Sequence, residues 1–329
     1  MVEPLAVALG DPAGIGPEIT AKAWERRQTE GLGPFFAVGA PEALRAVWGG
    51  PLEVVAGPGE AALCFDQALP VIRIDAAGGT SPGRPTLEGA RNALDSLELA
   101  VGLTRSGASS GLVTGPVSKA QLYAIGFTHP GQTEFVAERC GIAAEMVAMM
   151  LAGPTLRTVP VTTHIALRDV PGQVTTELIV TRGRTTIRAL RRLFGIERPR
   201  LAVAGLNPHA GEGGALGREE IDIVAPAIDR LREEDAEVTG PHSPDTMFHA
   251  RARARYDAAL CLYHDQALVP LKTLHFEDGV NITLGLPIVR TSPDHGTAFD
   301  IAGRGQAHPT AMLAAIRMAA ACAARLAEA

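Results

Sequence analysis

The chain alternates along its whole length between short apolar runs and stretches of helical periodicity, and this alternation restricts the fold more than any other feature. Runs of four to six apolar residues, each closed by glycine, proline or a polar turn, suit strands buried on both faces. The segments between them suit helices that cover a sheet. The pattern predicts an α/β fold with a mostly parallel sheet. Strands are expected at 5–9, 111–114, 157–163, 201–206 and 258–263, the third irregular or at an edge because of Pro160. Helices are expected at 185–194 and from Pro309 to about Leu326, with Thr86 capping another after the loop 81–85. Ile221, Val224, Ile228 and Leu231 are spaced as one apolar helical face.

With 329 residues, 46% of them apolar and 20% charged, the chain can bury a large core and is not disordered. It contains no repeat, low-complexity tract or flexible linker, so a domain boundary would be a cleft between two connected lobes. A net charge of −6 and a pI near 5.9 argue against nucleic acid as a partner. No apolar run approaches the roughly 20 residues that span a bilayer, and Met1-Val2-Glu3-Pro4 does not start like a secretory signal. Cys64, Cys140, Cys261 and Cys322 are widely spaced and suit free thiols in a reducing compartment. The expectation is a cytoplasmic protein without nucleic-acid or membrane partners. Its lysines are three, Lys22, Lys119 and Lys272; the compositional bias of a GC-rich genome accounts for this first, although a lysine kept under that bias can serve where arginine cannot.

Three histidines follow three predicted strands. His164 comes after Val161-Thr162-Thr163, His209 lies in Asn207-Pro208-His209-Ala210-Gly211-Glu212, and His264 lies in Tyr263-His264-Asp265-Gln266. Ligands of open α/β sheets bind outside the carboxyl ends of the strands, where three imidazoles could hold one catalytic metal with open positions. Asp265 could orient an imidazole from behind. The alternative is three unrelated loop histidines. Lys272, Asn281 and Arg290 could together hold a phosphate or carboxylate, or could be polar turn residues. Lys119, at a strand-to-helix turn, suits an anion site or a solvated helix surface. Gly10, Gly14 and Gly16 do not form G-x-G-x-x-G, so the ordinary dinucleotide fingerprint is absent, as is a P-loop.

Several longer motifs together resemble the 4-hydroxythreonine-4-phosphate dehydrogenase family. They are Gly10-Asp11-Pro12-Ala13-Gly14-Ile15-Gly16-Pro17-Glu18, the turn 115–119, Asn207–Glu212, Tyr263–Gln266 and Thr291–Ala298, in that order over essentially the whole chain. His295–Gly303 also resembles the adenosine-binding loop of isocitrate and isopropylmalate dehydrogenases. The resemblance implies a two-lobed α/β/α fold of that type with a non-Rossmann dinucleotide site in the cleft. The first lobe is expected to be 1–125 plus 290–329, and the second, with the metal ligands and dimer interface, 126–289.

It further implies NAD- or NADP-dependent oxidation of 4-phosphohydroxy-L-threonine and decarboxylation of the 3-keto acid formed, in pyridoxal phosphate biosynthesis. One divalent metal per subunit (zinc, magnesium or cobalt) would be held by His164, His209 and His264. Substrate contacts would fall on Gln132, Thr133, Lys272, Asn281 and Arg290, and cofactor contacts on His295, Gly296, Asp300 and Gly303. Asp245 and Lys119 are the catalytic candidates, and the family implies a homodimer with its active site at the interface.

One position departs from the family: Gln132 stands where histidine is usual, and glutamine cannot carry a proton between pH 5 and 8. That keeps in view a paralogue oxidising a phosphorylated sugar acid, such as threonate or erythronate 4-phosphate, or an aromatic cis-dihydrodiol carboxylate. A cofactor-free metal-dependent hydrolase and a catalytically silent binding protein are more distant rivals.

Overall fold

The apolar runs become strands wherever neighbouring backbone can complete their hydrogen bonds. The computed structural model describes residues 3–76, 78, 79 and 81–328. In chain order the described strands are β1 (Leu5–Ala8), β2 (Phe35–Gly39), β3 (Leu52–Val55), β4 (Leu69–Arg73), β5 (Leu112–Thr114), β6 (Ala148–Gly153), β7 (Leu156–Pro160), β8 (Arg200–Ala204), β9 (Glu237–His242), β10 (Ala258–Cys261), β11 (Val280–Leu284) and β12 (Arg290–Pro293). The chain forms two compact units, the first running to Gly141 and resuming at Leu286, the second covering Ile142–Gly285.

The first unit has strand order β3-β4-β2-β1-β5-β12, with every pair parallel. β1 and β2 are buried throughout, which accounts for their continuous apolar sequences. Helix Leu87–Arg105 begins as expected, with the Thr86 side chain accepting from Gly89 N at 3.0 Å. Its buried Ser96 hydroxyl donates to Val38 O at 2.6 Å and accepts from Leu9 N at 3.2 Å, tying the ends of β1 and β2 to the helix. The segment after 125 stays with this unit: Phe135 is buried against Phe127, and Arg139 Nε contacts both oxygens of Glu98 at 2.8 Å. The unit boundaries therefore lie at 141/142 and 285/286, where the sequence suggested 125/126 and 289/290.

Helix Thr310–Glu328 corrects one expectation. It has 19 residues, and an 18-residue stretch of it has a mean hydropathy of 1.4, enough by length and composition to cross a membrane. Its Met312, Ala315, Ile316 and Ala319 are fully buried, and Ala315 O accepts from the Thr291 hydroxyl of β12 at 2.8 Å. One apolar face of the helix is therefore packed into the core of this unit.

In the second unit the order is β11-β6-β7-β10-β8-β9. β7, β10, β8 and β9 run parallel, whereas β6 is antiparallel to both β7 and β11. Two residues separate β6 from β7, and so short a connection can join only antiparallel neighbours. β7 is interior, contrary to the reading of Pro160: its pairing with β6 ends at Thr158, so the missing proline amide falls beyond that ladder. The helix expected at 185–194 starts much earlier, at Thr176, where Thr175 caps Leu178 N at 3.1 Å, and ends at left-handed Gly195. Ile221 leaves its expected apolar face because Glu220–Val224 forms a π-helical turn before helix Ala225–Arg232; Val224, Ile228 and Leu231 are buried while Ile221 is exposed.

Glycine is required where backbones touch. A methyl group on Gly16 would sit 2.0 Å from Leu9 O, whereas one on Gly102 in helix Leu87–Arg105 would meet nothing within 4 Å. Gly16→Ala should therefore cost about 3 kcal/mol or more, and Gly102→Ala should be neutral or stabilising by up to about 1 kcal/mol. Thermal unfolding of the two variants beside the unaltered chain checks this; equal midpoints would refute the close-packing account.

Candidate functional site

In the first unit, three loops at the carboxyl ends of parallel strands meet through their backbones. The turn after β1 donates Asp11 N to Pro116 O at 2.9 Å and Ile15 N to Thr297 O at 3.0 Å. A methyl on Gly14 would lie 3.0 Å from Thr297 O, and one on Gly10 would lie 2.4 Å from Pro116 O. These glycines make room for neighbouring backbone, which agrees with the absence of a phosphate-cradling fingerprint. Asp11 is buried; burial pushes its carboxyl above the usual range, while the bond from Ala13 N (3.0 Å) pulls it back.

The loops surround a buried cation. Arg290, at the start of β12, reaches along the sheet so that Nη2 donates to Thr114 Oγ1 at 2.7 Å and Nη1 to Thr133 Oγ1 at 3.4 Å. It is 3% exposed, and burial pushes its guanidinium down to about 10, with Glu134 opposing that fall. It is still a cation at neutral pH. Gln132 Nε2 donates to Gly115 O at 3.2 Å. Lys119 opens helix Lys119–Ala124, capped by Ser118, and its ammonium end lies beside Gly131. Thus Lys119, Gln132, Thr133 and Arg290 are brought together. Of the expected cofactor residues, His295 and Gly296 form an exposed turn, with His295 Nδ1 3.0 Å from Gly296 O, and Asp300 is exposed. Gly303 takes φ 72° and donates its amide to Glu18 Oε2 at 3.2 Å.

In the second unit, the rings of His164 and His264 lie with their centroids 5.5 Å apart on an open cavity of about 550 Å³. Asp265 Oδ1 stands 2.7 Å from His264 Nδ1, the arrangement that leaves Nε2 to face a ligand. His209 does not join this pair. It sits in a left-handed turn in which His209, Ala210, Gly211, Glu212 and Gly213 all have positive φ. That turn packs beside Pro244–Thr246, which carries exposed Asp245 with its carboxylate accepting from Ser243 Oγ. Among the described residues no group of three or more His, Cys, Asp or Glu stands at metal-holding spacing. The imidazoles have the right donor chemistry for a divalent ion, but one chain assembles only two of the three.

Lys272 is half-buried on helix His264–Leu274, eight residues from His264 and so about 12 Å along the axis. Asn281 projects from β11 with its Oδ1 buried and making no hydrogen bond. An acceptor buried in this way costs about 1–3 kcal/mol, which a ligand donor would relieve.

Two buried residues of the second unit, Glu220 and Gln266, support these loops although the sequence alone assigns neither a role of its own. The Glu220 carboxylate accepts Leu206 N and Asn207 N at 2.7 Å and Asn207 Nδ2 at 3.0 Å, pinning the start of the left-handed turn. Gln266 accepts Leu262 N at 2.6 Å and donates to Gly205 O at 2.8 Å, bracing the ends of β10 and β8. The Glu220 bonds and the Gln266 bond to Gly205 act across separations that no local pattern reveals.

Residues 37–319 match the family model described as pyridoxal phosphate biosynthetic protein PdxA. A 4-hydroxythreonine-4-phosphate dehydrogenase of Zymomonas mobilis is 57% identical over 97% of this chain and 95% of its own. The crystal structure of 4-hydroxythreonine-4-phosphate dehydrogenase from Klebsiella pneumoniae aligns over 98% of both chains with TM-score 0.88 and 40% identity. A terephthalate 1,2-cis-dihydrodiol dehydrogenase from Burkholderia xenovorans also covers 98% of both chains, at TM-score 0.67 and 29% identity.

Glu220→Ala should speed hydrogen exchange at the Leu206 and Asn207 amides and lower stability by about 2–3 kcal/mol, since it strands buried donors. Exchange followed by mass spectrometry, with helix Thr176–Phe194 as reference, tests this. Unchanged protection at both amides would show that the carboxylate does not hold the turn.

Proposed function

The chain belongs to the PdxA family of pyridoxal phosphate biosynthetic proteins, and we propose that it catalyses NAD(P)-linked oxidation of 4-phosphohydroxy-L-threonine at its secondary alcohol. The 3-keto acid, 2-amino-3-oxo-4-(phosphonooxy)butanoate, then loses CO₂ to give 3-amino-1-hydroxyacetone 1-phosphate. The α/β fold of the isocitrate and isopropylmalate dehydrogenase type serves this reaction without a Rossmann fingerprint. The observation that carries the reading to these residues is Arg290: a buried guanidinium, braced by Thr114 and Thr133 at a loop cluster, is suited to an anionic substrate.

In this reading Arg290, Lys272, Asn281, Thr133 and Gln132 bind and orient the substrate. Fixing its anionic groups draws on contacts remote from the reacting carbon. Asp245 and Lys119 are the candidate carriers of the hydroxyl proton, and NAD or NADP, when bound, would supply the hydride acceptor. Gln132 holds a hydrogen bond but carries no proton. In the second step the C–C bond to the carboxylate breaks, and its electron pair passes into the ketone to form an enolate that is then protonated.

His295, Gly296, Asp300 and Gly303 would contact NAD or NADP. A zinc, magnesium or cobalt ion would be held by His164, His209 and His264, and would supply polarisation of the substrate oxygen. Because a single chain gathers only two of these histidines, a homodimer with its active site at the interface is the assembly proposed. Four free cysteines suit a reducing cytoplasm.

Gln132 favours one second reading, a paralogue acting on a phosphorylated sugar acid or an aromatic cis-dihydrodiol carboxylate. The higher identity and TM-score to 4-hydroxythreonine-4-phosphate dehydrogenases weigh against the dihydrodiol.

Purified protein given NAD and 4-phosphohydroxy-L-threonine should form NADH, lose that activity to a chelator and regain it with one of the three ions. Turnover indifferent to chelation would remove the metal from the reading. NAD binding without turnover would point to the paralogue, with Gln132→His as the reversion to try. Arg290→Lys should lower kcat/KM about 100-fold or more, since an ammonium cannot reproduce the fork. Arg290→Met should abolish turnover while leaving Tm near that of the unaltered chain, because it removes a buried charge together with the cost of burying it.

A further inference from the structure

One ion pair in the first unit lies outside every role assigned above. Glu18 and Lys22 are four residues apart on helix Gly16–Glu25, with Lys22 Nζ 2.7 Å from Glu18 Oε1. An exposed pair at this spacing would add a few tenths of a kcal/mol to the helix. This pair is not exposed: the Glu18 side chain is 3% accessible and that of Lys22 24%.

Its remaining bonds all go to one distant segment. Lys22 Nζ donates to Gly305 O at 2.8 Å and to Ala307 O at 2.7 Å. Glu18 accepts Gly303 N on Oε2 at 3.2 Å and Ala307 N on Oε1 at 3.1 Å. The three N–H donors of the ammonium thus have three acceptors, and both carboxylate oxygens are used. A compact ammonium can direct its donors to three separate acceptors, whereas a planar guanidinium presents a fixed fork. This is a physical reason for lysine at this position in an arginine-rich chain.

The segment needs such a mooring. Gly303 and Gly305 have φ of 72° and 70°, so regular structure supplies no ladder for their backbone groups. Further upstream, Thr297 O is held by Ile15 N at 3.0 Å, one residue before the same helix. The loop from Thr297 to Ala307 is therefore fastened at both ends to residues 15–22. Gly303 is also closed in from outside, since a methyl there would lie 2.6 Å from Pro82 Cβ.

We propose that Glu18 and Lys22 are positioning residues that hold the 303–307 segment in its dinucleotide-binding conformation, and so set the affinity for NAD(P) without touching it. The inference rests on the reading of His295–Gly303 as the cofactor loop. Its physical basis is preorganisation: a loop already ordered loses less freedom when the dinucleotide binds.

The test uses the full chain with Lys22→Met, Lys22→Arg and Glu18→Gln. Two quantities are measured: amide exchange at Gly303 and Ala307, with Thr310–Glu328 as reference, and the Kd and KM for NAD beside kcat and the substrate KM. Lys22→Met should speed exchange at both amides and weaken NAD about tenfold or more, with kcat and substrate KM within about twofold. Lys22→Arg keeps the charge and should restore only part of the affinity, whereas a merely structural charge would restore all of it. Glu18→Gln, which keeps the side chain's size, replaces Lys22→Met if that variant fails to fold.

Protection unchanged in every folded variant overturns the proposal, as does faster exchange with unaltered NAD affinity. Equal losses in NAD affinity, substrate KM and kcat overturn it too, since they indicate general damage. Failure of the unmutated chain to bind NAD is a different result: it sinks the cofactor reading, and with it the proposed effect on affinity, while the exchange measurement still decides whether the pair holds the loop.

Discussion

The first unit depends on backbone packed directly against backbone at the carboxyl ends of its parallel strands. Leu9 O, Pro116 O and Thr297 O all come so close to the turn 10–16 that a single methyl group on Gly10, Gly14 or Gly16 would be crowded or would collide. Side chains cannot fill this junction, so its cohesion comes from amide–carbonyl bonds such as Asp11 N to Pro116 O and Ile15 N to Thr297 O. Everything near it inherits that rigidity. Arg290 is placed by β12 and steadied by Thr114 and Thr133, and it remains charged at neutral pH in a setting that disfavours charge.

The second unit solves a similar problem with a carboxylate. The turn that carries His209 places three non-glycine residues, His209, Ala210 and Glu212, at positive φ, a conformation L-residues rarely adopt. Glu220 accepts two amides and a side-chain amide at the entrance to that turn, and Gln266 ties the ends of the adjacent strands. The outcome is a histidine held by strained backbone whose supports lie well away in sequence. Strain of this kind persists only where the surroundings over-determine it.

What the residues disclose in advance follows the range of the interactions. Strand positions were legible because burial on both faces writes a continuous apolar run, as in β1 and β10; the Thr86 cap was legible because a hydroxyl bonds an amide three residues on. Glycine spacing was enough to show that the ordinary dinucleotide fingerprint and the P-loop pattern are absent. The π-helical turn at Glu220–Val224, the interior place of β7 and the true start of helix Thr176–Phe194 were not legible, because each is decided by packing rather than local preference. Three histidines after three strands were visible as a set, yet only two meet within the chain, since the turn holding His209 has a path that no periodicity encodes. Glu18 and Lys22 stand four residues apart on one helix, but their other partners lie more than 280 residues away, beyond any local pattern.

The scarcity of lysine has a practical corollary. Of the three side-chain amines, that of Lys22 is committed to three acceptors and Lys272 is half-buried with interactions of its own, whereas Lys119 stands exposed at the start of its helix. Acylating reagents need a free, deprotonated amine, so their reaction with side chains would concentrate on Lys119. A fluorophore on that side chain would then report from beside Gln132, Thr133 and Arg290 without any engineered cysteine.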